Sequence, residues 1–364
     1  MIVKDVTDIL EELAPLSQAE DFDNVGLLVG DAQAEVTGIL VTLDTLENVI
    51  DEAIKKSCNL VVSFHPIIFG GLKKLTGRTY VERVVMKAIA NNISIYAIHT
   101  ALDNAWEGVN AKICEVLGLR ERAILIPKKG SIRKLMTYVP KENAEKVREA
   151  LFAAGAGQIG KYSHCSFNLA GTGTFRAGEG SNPTLGQIGS THFEEEVQVQ
   201  VVFRDDLQHK IITALKENHP YEEVAYEVLT TENLHQELGM GMIGELEDAM
   251  EEEDFLQLLK DRMDAKVVRH SELLGKKIRK VAVLGGSGAF AIGAAKAAGA
   301  DALVTSDLKY HQFYEAEKKI LLADIGHFES EQFTKTLLVD YLTKKIPNFA
   351  ISLSESITNP IKYF

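Results

Sequence analysis

The sequence predicts an α/β protein, and two features of its patterning carry that prediction. Short apolar runs of strand length alternate with longer segments whose apolar residues recur at helical spacing, as in strand–helix–strand units. Leu60-Val61-Val62, Ile93-Ser94-Ile95-Tyr96-Ala97-Ile98 and Ile320-Leu321-Leu322-Ala323 are short and apolar, as buried parallel strands should be. Each of these runs leads into metal-binding side chains: Ser63-Phe64-His65-Pro66, Ile98-His99-Thr100-Ala101-Leu102-Asp103 and Asp324-Ile325-Gly326-His327-Phe328-Glu329-Ser330-Glu331. Side chains at the carboxyl ends of parallel strands converge on one crevice, so the pattern predicts a metal-assisted active site.

Taken in order, the chain opens with a helix near 4–14, a strand at Gly38-Ile39-Leu40-Val41-Thr42-Leu43 and a helix near 46–57 before the first ligand-bearing strand. After the second ligand-bearing strand, Val109 to Leu117 has helical spacing, and Pro127-Lys128-Lys129-Gly130 marks a boundary. From about 132 to 230 the reading is strand (Lys134 to Val139), helix (Ala144 to Ala153), strands around Ser163 to Ala170 and Glu195 to Phe203, helix (Leu207 to Glu217) and strand (Ala225 to Thr230). That order, βαββαβ, is a ferredoxin-like unit. Between its central strands, the glycine-rich stretch from Gly171 to Pro183 lacks a hydrophobic period and predicts a mobile or ligand-facing loop.

Alternation resumes after 240 with Val281-Ala282-Val283-Leu284, a helix near 290–298, Ala302-Leu303-Val304, the third ligand-bearing strand and a helix near 329–343. The expected organisation is therefore an α/β domain built from residues 1–127 and 236–364 and split by an insert at 128–235. His65 and Asp103 precede the insert while His327 and Glu331 follow it, so the site would join the two sequence halves. No short-period repeat is visible.

Composition bounds the function. Over 364 residues, 46% hydrophobic and 25% charged content suffices for a substantial core and argues against disorder. A formal net charge of −13 argues against nucleic acid and anionic membranes as partners, because neither rewards an acidic surface. Cys58, Cys114 and Cys165 are scattered and odd in number, which indicates neither a disulfide framework nor a cysteine zinc motif. The acidic, amphipathic start and the lack of a membrane-length apolar run predict a cytoplasmic protein.

His327 and Glu331 stand four apart where a helix should begin, so both project from one face toward a shared ion. Imidazole and carboxylate ligands suit zinc, manganese or iron rather than a thiolate structural site. Asp103 reads as a ligand in that company, although an aspartate there also caps a turn. His99 is close enough to be a ligand, a ligand's partner or a proton carrier. Gly285-Gly286-Ser287-Gly288 stands between a strand and a helix, where backbone amides receive an anion or glycines make a tight turn. Asp307, Lys309 and His311 either contact substrate and orient ligands or belong to a solvated loop. Asp23 and Asn24 either shape a turn or line the cleft.

In this order, Asp23-Asn24-Val25-Gly26-Leu27, His65-Pro66, His99 to Asp103, Gly285 to Gly288, Thr305 to His311 and Gly326-His327 through Ser330-Glu331 resemble one family. It is the dinuclear-metal-centre hexameric family founded on the NGG-one interacting factor, whose bacterial members are called GTP cyclohydrolase 1 type 2 homologs. Gly157 to Tyr162 and His219 to Tyr226 resemble the PII-like or CutA-like insert of its longer members. The resemblance implies a three-layer αβα metal-binding domain, up to two metal ions per subunit, zinc foremost, and a toroidal homo-hexamer. It matches His65, Asp103 and Glu331 to one ion's ligands and His327 and Glu331 to the other's. Family members usually carry two adjacent histidines before the proline, whereas this chain has Phe64, which cannot coordinate and weakens the second site.

The expected function is a metal-dependent hydrolase in which the ion lowers the pKa of a water and His99 or His311 carries protons. The family label suggests opening of the guanine imidazole ring of GTP, and a nucleotide or phosphoester substrate fits the residues, with the Gly285 turn receiving phosphate. The alternative is a metal-binding hexameric sensor, metallochaperone or protein-interaction scaffold without turnover.

Overall fold

Val3, Val6 and Leu10 recur at helical spacing and are fully buried in the first helix, α1 (Val3–Leu13). The chain continues through β1 (Gly26–Val29), β2 (Ile39–Thr42), α2 (Glu47–Lys55), β3 (Leu60–Ser63), α3 (Tyr80–Ala90), β4 (Ser94–Ala97), α4 (His99–Asn104), α5 (Val109–Leu117) and β5 (Arg120–Pro127). Thr79 caps α3 by accepting from the Glu82 N–H at 3.2 Å, and α5 stops at Gly118, whose φ of +74° ends a helix without side-chain strain. Next come β6 (Ile132–Pro140), α6 (Ala144–Ala153), β7 (Phe167–Arg176), β8 (Thr191–Arg204), α7 (Gln208–Asn218) and β9 (Tyr226–Thr230). The last stretch holds β10 (Gly239–Met250), α8 (Glu252–Arg262), β11 (Arg269–His270), β12 (Ile278–Ser287), α9 (Ile292–Ala297), β13 (Ala302–Ser306), β14 (Leu321–Asp324), α10 (His327–Glu331), α11 (Thr334–Lys345) and β15 (Ile351–Leu353). This computed structural model describes residues 1–364, which divide into Met1–Pro127 with Gln236–Phe364, and Lys128–His235.

The first unit is mixed α/β with two sheets, ordered β1-β4-β3-β2-β15 and β11-β14-β13-β12-β10-β5. Strands β2, β3, β4 and β15 run parallel, as do β12, β13 and β14. Alternation along the strands sorts side chains to two faces. Val41, Val62 and Tyr96 of the first sheet and Val283, Val304 and Ala323 of the second share one core with α1, α5, α8 and α11. The opposite face of the first sheet, Leu40, Val61 and Ile95, packs on α2 and α3, and that of the second, Ala282, Leu303 and Leu322, packs on α9. Helices therefore cover both faces of each sheet, and the middle helices serve both sheets.

The ligand-bearing strands divide between the two sheets: β3 and β4 belong to one and β14 to the other. The two sheets repeat a plan at long range. An antiparallel edge strand flanks the third parallel strand in each, β1 beside β4 and β11 beside β14. In each, that third strand is followed by a short helix beginning on histidine, His99 or His327. Pro127 pairs with Gly239 across β5 and β10, so the chain leaves and re-enters this unit at neighbouring points.

The second unit is one antiparallel sheet, β7-β8-β6-β9, with α6 and α7 burying Val147, Leu151, Ile211 and Leu215 against Leu135, Val139, Val199 and Val201. Its elements follow the order strand–helix–strand–strand–helix–strand. The loop expected from Gly171 is corrected: Gly171–Arg176 is strand, paired from Gly171↔Glu196 to Arg176↔Thr191. Glycine serves pairing here, since a Cβ on Gly173 would fall 2.0 Å from Glu196 Oε2.

Candidate metal centre

His65 follows β3, and His327 and Glu331 stand at the two ends of α10, so the two sheets present these side chains to each other. The Nε2 atoms of His65 and His327 each lie 3.1 Å from Glu331 Oε2. Ligand atoms of all three residues fall within 4.8 Å of one another, a group that could hold a metal ion. The four-residue spacing on α10 brings His327 and Glu331 together, as periodicity requires.

Glu331 is 3% exposed, and its Oε2 has no hydrogen-bond partner: the imidazole contacts are charge contacts without hydrogen-bond geometry. A buried carboxylate oxygen that faces two imidazole nitrogens and has no hydrogen-bond partner is suited to a cation. Asp103 lies outside the three-residue group, but it is buried and its Oδ1 is also without a hydrogen-bond partner. Burial, and then the Glu331 charge, push the Asp103 carboxyl well above the usual range.

Each nearby imidazole is gripped from behind by an aspartate. His65 Nδ1 lies 2.8 Å from Asp44 Oδ1, His327 Nδ1 2.7 Å from Asp307 Oδ2, and His99 Nδ1 2.9 Å from Asp23 Oδ1. An ionised carboxylate only accepts, so Nδ1 carries the proton in each pair, which leaves Nε2 as the ligating or proton-transferring atom. Burial opposes charge on His65, yet the Asp44 and Glu331 carboxylates raise it to about 10; His327 reaches about 9 for the same reasons, with Glu331 and Asp307 as partners. Burial opposes ionisation of Glu331, which the two imidazoles outweigh, bringing it down to about 2. Two imidazolium protons thus supply the positive charge that a bound cation would replace.

Asp44 was missed in the sequence, although its signal is of the same kind as that of His65: a carboxylate just past the apolar strand β2, which pairs with β3. Asp307 and Asp23, left open between roles, both hold histidines. Asp23 also accepts from the Thr100 N–H at 3.0 Å, and its carboxyl falls to about 2 because bonds from His99 and Thr100 outweigh burial. His99 stands beside the cluster, its ring 5.2 Å from that of His65. His311 is exposed, and its ring neighbours are Tyr310 and Tyr314, not the cluster. Phe64 is fully buried, its ring 4.9 Å from His65 and 5.4 Å from His99, an apolar wall where a ligand would stand.

At Gly285 and Gly286 the amides expected to receive phosphate are engaged within the protein. The Gly285 N–H donates to Asn110 Oδ1 at 3.0 Å and the Gly286 N–H to Ser330 Oγ at 2.9 Å, leaving neither for an anion. The glycines instead admit the carboxylate: a Cβ on Gly286, at φ +67°, would sit 2.4 Å from Glu331 Oε1.

Known proteins share this architecture. A GTP cyclohydrolase 1 type 2 homolog of Bacillus subtilis (strain 168) is 37% identical over 98% of this chain and 97% of its own length. A protein of the same name from Halalkalibacterium halodurans is 40% identical over 88% and 87%. The crystal structure of a Bacillus cereus protein related to NIF3 superposes with a TM-score of 0.85 at 37% identity, covering 100% of this chain and 99% of that one. The family model Duf34/NIF3 (NGG1p interacting factor 3) matches residues 1–360, and the chain belongs to that family.

Proposed function

We propose that the chain is a metal-dependent hydrolase whose His65, His327 and Glu331 hold a divalent cation, zinc foremost, with manganese and iron as alternatives. The observation that carries this reading is the pair of Nε2 atoms, each 3.1 Å from one buried Glu331 oxygen that lacks a hydrogen-bond partner. Two imidazoles and a carboxylate are a donor set for catalytic zinc. Asp103, with its own buried oxygen unsatisfied, is the further ligand proposed. A divalent ion would supply Lewis acidity and acidify a water.

The chain's own residues do the rest. Asp44 and Asp307 orient the two imidazoles, and Asp23 holds His99 so that its Nε2 accepts or returns a proton. His311 is placed too openly to share that task in a single chain. Phe69, whose ring is 6.4 Å from that of His99, offers a flat apolar surface to a substrate base. The relatives' name, GTP cyclohydrolase 1 type 2 homolog, points to a nucleotide substrate, and phosphoesters fit the same chemistry. The fine architecture proposed with this function is a PII-like or CutA-like insert and a cytoplasmic homo-hexamer; no helix is long and apolar enough to cross a membrane.

One observation favours a second reading. Only one group of three ligands forms, and buried Phe64 walls off the neighbouring position, which suits a metal carrier, sensor or scaffold without turnover. The deciding experiment is elemental analysis of natively purified wild type and Glu331→Ala, with GTP turnover assayed on the same samples. Metal and turnover lost together in Glu331→Ala support the hydrolase. Metal lost in the variant while the wild type is inert supports the carrier, and a metal-free wild type that gains no ion from added zinc refutes both.

A further inference from the structure

Each aspartate that grips an imidazole is itself gripped by a hydroxyl. Ser287 Oγ donates to Asp307 Oδ2, Thr100 Oγ1 to Asp23 Oδ2 at 2.5 Å, and Thr358 Oγ1 to Asp44 Oδ2 at 2.8 Å. The first two hydroxyls belong to segments that already build the site: the end of β12 and helix α4. Thr358 does not. It lies in segment 354–364, which follows β15 and has no regular secondary structure.

We infer that segment 354–364 is a working part of the metal centre, with Thr358 a positioning residue that sets Asp44 and, through it, the ring of His65. This rests on the metal-binding reading above. Asp44 lies on the loop after β2, and the terminal torsion of an aspartate is broad, so its own rotamer does not orient the carboxylate. Two contacts do: Thr358 occupies Oδ2, and Oδ1 is left to His65 Nδ1. The Thr358 hydroxyl is part of a side chain only 6% exposed, so it needs a partner within the protein.

Past the Ser354 N–H, which donates to the Val41 carbonyl of β2 at 2.9 Å, the stretch must be held by other means. Glu52 on α2 accepts from Ser354 Oγ at 2.8 Å, the Glu355 N–H at 2.9 Å, the Ser356 N–H at 3.0 Å and Ser356 Oγ at 2.6 Å. Beyond Thr358, Asn359 Nδ2 donates to Glu329 Oε1 at 3.2 Å, and Glu329 sits on α10 between His327 and Glu331. The segment therefore touches the site from both sides, behind His65 through Asp44 and on the helix that carries the other two ligands.

The test uses the full chain, stripped of metal and titrated with cobalt(II), whose visible absorption reports both occupancy and the ligand field. Losing one hydrogen bond to the carboxylate behind a ligand is expected to weaken cobalt binding roughly 2- to 10-fold in Thr358→Val. The absorption bands should shift in that variant, and Thr358→Ser should restore both affinity and spectrum. Wild-type affinity with an unchanged spectrum in Thr358→Val overturns the inference, as does a loss that Thr358→Ser fails to rescue, because packing would then be responsible. If circular dichroism shows Thr358→Val unfolded, Thr358→Ala gives the same reading. Failure of the wild type to take up cobalt overturns the metal-binding reading itself, a result distinct from normal binding by every variant.

Discussion

Replacing Gly286 by alanine adds one methyl group at the point where the end of β12 meets Glu331. Two effects follow, and the structure contains a control that separates them. Gly286 and Gly275 share a φ of +67°, but a Cβ at Gly275 meets nothing within 4 Å, whereas at Gly286 it would fall 2.4 Å from Glu331 Oε1. Forcing alanine into the left-handed region costs roughly 1–2 kcal/mol, so both variants should lose about that much stability. Only Gly286→Ala should also displace the carboxylate. Ordinary contact begins at 3.4 Å, so Oε1 must retreat by about 1 Å, and the planar carboxylate then carries Oε2, the oxygen facing both imidazoles, past the roughly 0.2 Å tolerance of a metal–ligand distance. We expect zinc affinity, measured by competition with a chromogenic chelator, to fall by more than about 10-fold in Gly286→Ala and to stay at the wild-type value in Gly275→Ala. Urea unfolding in the presence of a chelator checks the shared stability loss. Equal zinc affinities for the two variants would refute the claim that the absent side chain at Gly286 seats Glu331.

Further predictions concern other parts of the chain. Phe64→His should raise metal content per chain in elemental analysis, because it puts a donor where an apolar ring now touches His65 and His99; unchanged content would show that this wall does not limit occupancy. In metal-free protein Asp103→Asn should leave urea stability within about 0.5 kcal/mol, since burial and Glu331 already favour the neutral acid, while the stabilisation conferred by added zinc should shrink. Burial of Glu52 is outweighed by its bonds to Lys56, Ser356, Glu355 and Ser354, which bring the carboxyl down to about 2. A depressed acid stabilises the fold above its unfolded pKa, and the contribution drains away as pH falls from about 4.5 toward about 2. Glu52→Gln should therefore cost roughly 3 kcal/mol near pH 7 and progressively less below about pH 4.5. A wild-type-minus-variant difference that stays constant between pH 6 and 3 would show that the carboxylate charge is not what holds the segment.

The alternation that announces an α/β fold, the ligand-bearing strand ends and the spacing of His327 and Glu331 are local properties, legible because each depends on neighbours within one or two turns of the chain. So is Asp103 as a candidate, since it stands four residues after His99 on α4. That the ligands face each other across two sheets, and not along one, depends on which strands pair, and strand pairing joins residues far apart in sequence. The glycine turn shows the same limit: its amides look available to an anion until Asn110 and Ser330 arrive from elsewhere in the chain. By itself the sequence determined the fold class, the positions of the ligand candidates and the departure at Phe64. Only the tertiary structure decided which aspartate grips which histidine and that Thr358 closes the contact behind His65, because a hydrogen bond between distant segments leaves no period or spacing in either of them.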